Sequence, residues 1–168
     1  MKLRKLKDIP YQIAQILASS EDVVRLIYND EPSVLLTKNQ ITVGVNDLIN
    51  ADYIGFYPAT ESGIKDIERN TFIIINCEDF NLQAADKNVS ASGAIYITTD
   101  KAHSLLSQGK LRLLELADAI DSILNDQKLS AAGQITLTSI NYVVFSDFRS
   151  GYRINFRVHD QQTRKAEL

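Results

Sequence analysis

The chain has 168 residues, 45% hydrophobic and 23% charged, with 18 Lys and Arg against 21 Asp and Glu for a net charge of −3. That is the composition of one folded domain, able at this length to bury roughly 70% of its unfolded surface; it excludes wholesale disorder, collagen-like repeats and low-complexity linkers. The lone cysteine, Cys77, has no partner for an internal disulfide, and no apolar run approaches the roughly 20 residues of a membrane-spanning helix.

Residues 1–7 are basic, but no apolar signal-peptide core follows before Asp8 and Pro10, so a cytosolic protein is expected. Residues 9–19 read as a short helix, with Pro10 in the first turn and Ile13, Ile16 and Leu17 at helical spacing. Ser20, Glu21 and Asp22 read as a cap with acids in the first turn of a second short helix, its apolar side Val23, Val24, Ile27 and Tyr28. The Asn-Asp-Glu-Pro run at 29–32 stops it. Residues 33–70 mix short apolar pieces with turn-like polar ones around Tyr53, Phe56 and Tyr57. A long irregular arm with an added strand is expected there, and such arms are usually functional; Tyr53, Phe56 and Tyr57 are its candidate partner contacts.

From residue 71 the pattern sharpens. Residues 71–77 are rich in β-branched and aromatic side chains, as in a largely buried strand; a polar connection over 78–92 leads to a second strand at 94–99. Residues 111–125 form the longest amphipathic helix, with Leu113, Leu116, Ala117, Ile120, Ile123 and Leu124 inward and Arg112, Glu115, Asp118, Asp121 and Ser122 outward. Residues 135–138 and 140–144 alternate in opposite phase, which predicts a bulge or a strand crossing. The run 152–158 alternates without error, placing Tyr152, Ile154, Phe156 and Val158 inward and Arg153, Asn155 and Arg157 outward. The expected fold is one α+β domain over 1–168: a mainly antiparallel sheet of about four strands, packed by one long amphipathic helix. Two short N-terminal helices and the 33–70 arm complete it, with flexible ends at 1–7 and 160–168.

Chemistry-bearing patterns are sparse. His103, His159 and Cys77 are far apart and not at metal-ligand spacing, and the seven glycines form no phosphate-binding loop. Glu78, Asp79 and Asp86, with Lys87 nearby, are the one carboxylate group that a small metal-dependent hydrolase could use. Neither a catalytic residue, a cofactor site nor a metal site is expected, and the protein is read as a non-enzyme.

Charge is more informative. Residues 1–7 carry +4 and residues 149–168 carry +3, while the body between them carries −10. Arg149, Arg153 and Arg157 form a basic ridge suited to carboxylates of a neighbouring subunit or to phosphates. The same row also fits a solvated sheet edge, where charge discourages aggregation. A nucleic-acid-binding accessory module would use this ridge, although Tyr152 and Phe156 face the other way and the chain as a whole is acidic.

The order of elements, together with the opening around Asp8-Ile9-Pro10, the run 22–30, the helix 111–120 and the ending 133–137 and 151–156, resembles the tail-terminator (neck) proteins that join head to tail in tailed bacteriophages. The resemblance implies a structural virion component without catalytic residues or cofactors. Its subunits would form a ring, most often a hexamer, that caps the tail tube and meets the head–tail connector. Expected partners are a second copy, the tube and sheath proteins and the connector; DNA would only pass through the channel, and no membrane is involved. Assembly would take place in the host cytoplasm and the finished location would be the virion neck. In that setting Arg149, Arg153 and Arg157 would contact an acidic neighbour or border the channel.

Overall fold

A computed structural model describes residues 7–36, 41–57, 59, 64, 67–82, 89–130 and 133–159. The helices follow the local signals closely. Helix α1 (Ile9–Ser19) starts with Pro10 in its first turn and buries Ile9, Ile13, Ala14 and Leu17. Ser20 then turns extended and caps α2 (Glu21–Tyr28), its hydroxyl accepting the Val23 N–H at 3.4 Å, with Glu21 and Asp22 at the positive end of the helix dipole. The 33–70 arm is more regular than expected where it is described. It contains α3 (Val45–Asn50), which buries Leu48, and β1 (Ile54–Gly55), the added strand.

β1 runs parallel to β2 (Thr71–Leu82), with Ile54 opposite Ile73. β2 and β3 (Val89–Asp100) are antiparallel and reach far into the expected polar connection, pairing again from Asp79 and Ser92 after a register shift at Cys77/Asp79. Backbone pairing set by the buried half of the hairpin propagates through polar side chains, which carry no period of their own. The remaining strands are β4 (Lys128–Leu129), β5 (Gly133–Ser146) and β6 (Arg149–His159), in the spatial order β1-β2-β3-β6-β5-β4. Among the described residues the sheet therefore has six strands rather than about four. Four are long, and the two extra ones are two-residue strands at the edges, too short to leave a periodic pattern. The phase switch around residue 138 is a bulge between Leu137 and Ser139.

One sheet face packs against the helices. Ile73, Ile75, Ile95, Ile97, Ile135, Ile154, Phe156 and Val158 meet α1, α2 and α4 (Arg112–Leu124), whose Leu113, Leu116, Ala117, Ile120 and Leu124 are buried. The other face holds a smaller cluster of Phe72, Ile74 and Ile64, bordered by Tyr57, Ile67, Tyr96 and Phe145.

Two expectations are corrected here. Arg112, assigned above to the solvent side of the long helix, is fully buried. Its Nε donates to His103 O at 2.9 Å, and its two terminal nitrogens donate to the carbonyls of Leu26, Asn29, Asp30 and Glu31 at 2.7–3.2 Å. The start of α4 abuts the end of α2, where carbonyls lack intrahelical donors, and one guanidinium supplies four there and a fifth to His103. The second correction concerns β6. It lies between β3 and β5, so its arginines do not guard a sheet edge. No helix of the described residues is long and apolar enough to cross a membrane.

Candidate assembly surface

Arg149, Arg153 and Arg157 occupy every fourth position of β6 and share the face away from the helices, about 13 Å apart along the strand. Two of them are engaged within the chain. Arg149 pairs with Asp100 at 2.7 Å, donates to Arg69 O at 3.0 Å and lies over the Phe72 ring at 4.8 Å. Burial lowers its pKa, and Asp100 opposes that shift. Arg153 pairs with Glu78 at 2.6 Å and lies 5.6 Å from the Tyr96 ring centre, while Tyr96 Oη donates to the same carboxylate at 3.4 Å. Burial raises the Tyr96 pKa, with Arg153 lowering and Glu78 raising it in turn. Arg157 is exposed, and no acid among the described residues pairs with it.

The arm aromatics divide in the same way. Tyr53 packs on the main core, its ring 5.1 Å from that of Tyr28 and under the Arg69 guanidinium at 4.7 Å. Tyr57 folds back over Gly55, where a Cβ would collide with its ring, and joins the smaller cluster. Burial, then the charge of Asp52, pushes its pKa up to about 12. Phe56 alone points outward.

Among the described residues, groups that could support metal or acid–base chemistry do not converge. Glu78 is committed to Arg153, Asp79 is exposed beside it, and Asp86 and Lys87 lie outside the described residues. His103 is half-buried with Nε2 3.4 Å from Asn70 Nδ2, and His159 sits exposed at the end of β6. Cys77 is half-buried, and burial followed by the neighbouring Glu78 raises its thiol pKa to about 11. Among the described residues, no three His, Cys, Asp or Glu side chains come together as a metal site would require.

The least expected surface is apolar. Beyond the bulge, β5 turns Ile140, Tyr142 and Val144 to the helix side of the sheet, opposite Ile154, Tyr152 and Ser150, yet they remain 48%, 61% and 68% exposed. α4 does not extend over them. Beside them, Leu111 and Leu114 at the start of α4 are about half exposed, as is Leu105, which bridges to Leu111. Leu111, Leu113, Leu114, Tyr142 and Tyr152 line a shallow groove of about 170 Å³. The candidate list from the sequence contains none of these residues. The signal was present, since residues 133–146 run for fourteen positions without a charge or a proline, and Leu114 lies off the inward stripe of its helix.

The profile of the YomW family matches residues 20–158, from the cap of α2 to the penultimate residue of β6, and the chain belongs to that family. No curated protein matches it.

Proposed function

We propose that this chain is a structural subunit of a tailed-phage head–tail joint, a ring-forming tail-terminator or neck protein that caps the tail tube and receives the connector. The observation that carries an assembly role is the exposed apolar surface at Leu105, Leu111, Leu114, Ile140, Tyr142 and Val144. Contiguous apolar area of that kind marks interaction sites on folded proteins. The phage assignment comes from the resemblance in element order and local sequence. It works stoichiometrically, through contacts rather than turnover.

Ring closure needs two different surfaces that fit each other. The helix side of the sheet offers exposed Asp118 and Asp121 on α4; the opposite side offers Arg157, with Arg149 and Arg153 behind it. Opposite charges on opposite sides of one subunit let each copy meet the next head to tail. In this arrangement Arg157 is the contact residue, while Arg149 and Arg153 shape the strand beside it.

The experiment is to mix the purified chain with cognate tail tubes and image the tube ends. Rings at one end of each tube are expected. Arg157→Glu should abolish capping, and adding Asp118→Lys and Asp121→Lys to it should restore capping in part. Bare tube ends with the unaltered chain overturn the proposal.

A further inference from the structure

The free side of β5 sets this molecule apart from a fully guarded sheet. β4 pairs only with Gly133 and Gln134. The loop after α4 covers the next residues: Ile135 exchanges hydrogen bonds with Asp126 and Gln127 at 2.9 Å, and Asn125 Oδ1 accepts the Leu137 N–H at 3.1 Å. From residue 138 to 146, no segment of the described residues pairs with the outer side of the strand. Such edges are ordinarily protected by charge, proline or bulges. The opposite edge follows that rule, with Glu78, Asp79 and a register shift where β2 runs past β1. β5 does not: between its bulges at 137/139 and 144/146 it presents uncharged, regular, β-prone backbone.

We infer that β5 pairs edge to edge with β5 of a second copy of this chain, antiparallel and about a two-fold axis, so that the two sheets become continuous. Three observations select a second copy as the occupant. In an antiparallel self-pair the positions equidistant from the axis meet, and a strand with no charge over 133–146 meets its own copy without like-charge repulsion in any register. β5 offers no charge by which a foreign strand could be steered or selected electrostatically. Directly opposed residues share a face, so the register must place helix-side positions against helix-side positions. With Tyr142 on the axis, Ile140 meets Val144 of the second copy and all three exposed apolar positions are paired. Finally, these side chains with Leu105, Leu111 and Leu114 expose on the order of 700 Å², close to the ~800 Å² per partner of a stable interface.

This pairing goes beyond the proposed ring contact. It uses the sheet edge, whereas the ring contact uses the two outer sides of the subunit, and it stands without the tail reading.

The test is the mass in solution by sedimentation or light scattering, up to about 100 μM, where even weak association is visible. A dimer is expected. Ile140→Lys and Tyr142→Lys, both at exposed positions, should each weaken it at least tenfold with unchanged circular dichroism. Independently of any loss of folding, Tyr142→Cys in a Cys77→Ser background should give a disulfide-linked dimer under mild oxidation, and Thr136→Cys in the same background should not. A chain that is monomeric throughout, a dimer indifferent to both lysines, or equal cross-linking from residue 136 overturns the inference. Dimers that fail to cap tubes overturn the tail reading alone; monomers that cap tubes overturn the β5 pairing alone.

Discussion

Replacing Arg112 by Met should destabilise the fold as much as truncating a core leucine of α4, although the residue belongs to no apolar stripe. The side chain is fully buried and donates five hydrogen bonds to carbonyls of Leu26, Asn29, Asp30, Glu31 and His103. A buried acceptor left without its donor costs about 1–3 kcal/mol. Simply multiplying by five overstates the loss. Removing the cation also relieves its desolvation, which is worth several kcal/mol and already lowers the pKa of this arginine against the pull of Asp30. Groups that share one side chain are also not additive. The net loss for Arg112→Met is then about 4 kcal/mol, several acceptors left without donors less the relieved desolvation. At this chain length that lowers Tm by roughly 8–16 °C. Arg112→Lys keeps the charge but places its donors at one point, and should lose about half as much. Urea and thermal unfolding followed by circular dichroism measure both, and amide exchange should accelerate first in α2. A Met variant within 1 kcal/mol of the parent in ΔG, on the scale of an ordinary surface change, would refute the reasoning. So would a lysine variant as stable as the parent.

Three further outcomes follow from the packing. Tyr57 is held protonated in the fold, its pKa raised from 10.0 to about 12, so its contribution to stability is present below pH 10 and lost as pH rises toward 12. Tyr57→Phe should flatten that alkaline decline in urea titrations; an unchanged decline removes Tyr57 as its cause. The Cys77 thiol, raised from 9.0 to about 11, should react with iodoacetamide at pH 8 at least tenfold more slowly in the native than in the urea-unfolded chain; equal rates contradict its burial. Gly93→Ala places a methyl against the Asn76 carbonyl and the Phe156 ring, and should cost about 2–3 kcal/mol in equilibrium unfolding. A neutral result there would show that β2 and β3 do not approach as closely as described.

The readable parts of the sequence were those where a repeating period coincided with burial. The stripe of Leu113, Leu116, Ala117, Ile120 and Leu124 and the alternation of Ile154, Phe156 and Val158 are both in the core. Ser20 and the acids after it mark the start of α2 as they do in many proteins. Arg112 escaped because polarity alone cannot distinguish a solvated arginine from one that meets the end of another helix some 80 residues away in sequence. β1 and β4 escaped because two residues carry no period. Arg149 and Arg153 were placed on the correct side of β6, but their acids, Asp100 and Glu78, come from other strands, and only the pairing of β6 with β3, and of β3 with β2, brings them close. The uncovered stretch of β5 depends on how far α4 extends and on which strand lies outermost, and both are set by tertiary structure.

The central claim is that the chain acts by assembling, and imaging tube ends tests it most directly. Cognate tail tubes incubated with the purified chain should carry a ring at one end and stop growing there, with Arg157→Glu leaving the ends bare. Tubes that continue to elongate with no density at either end, in the presence of well-folded chain, would contradict the account.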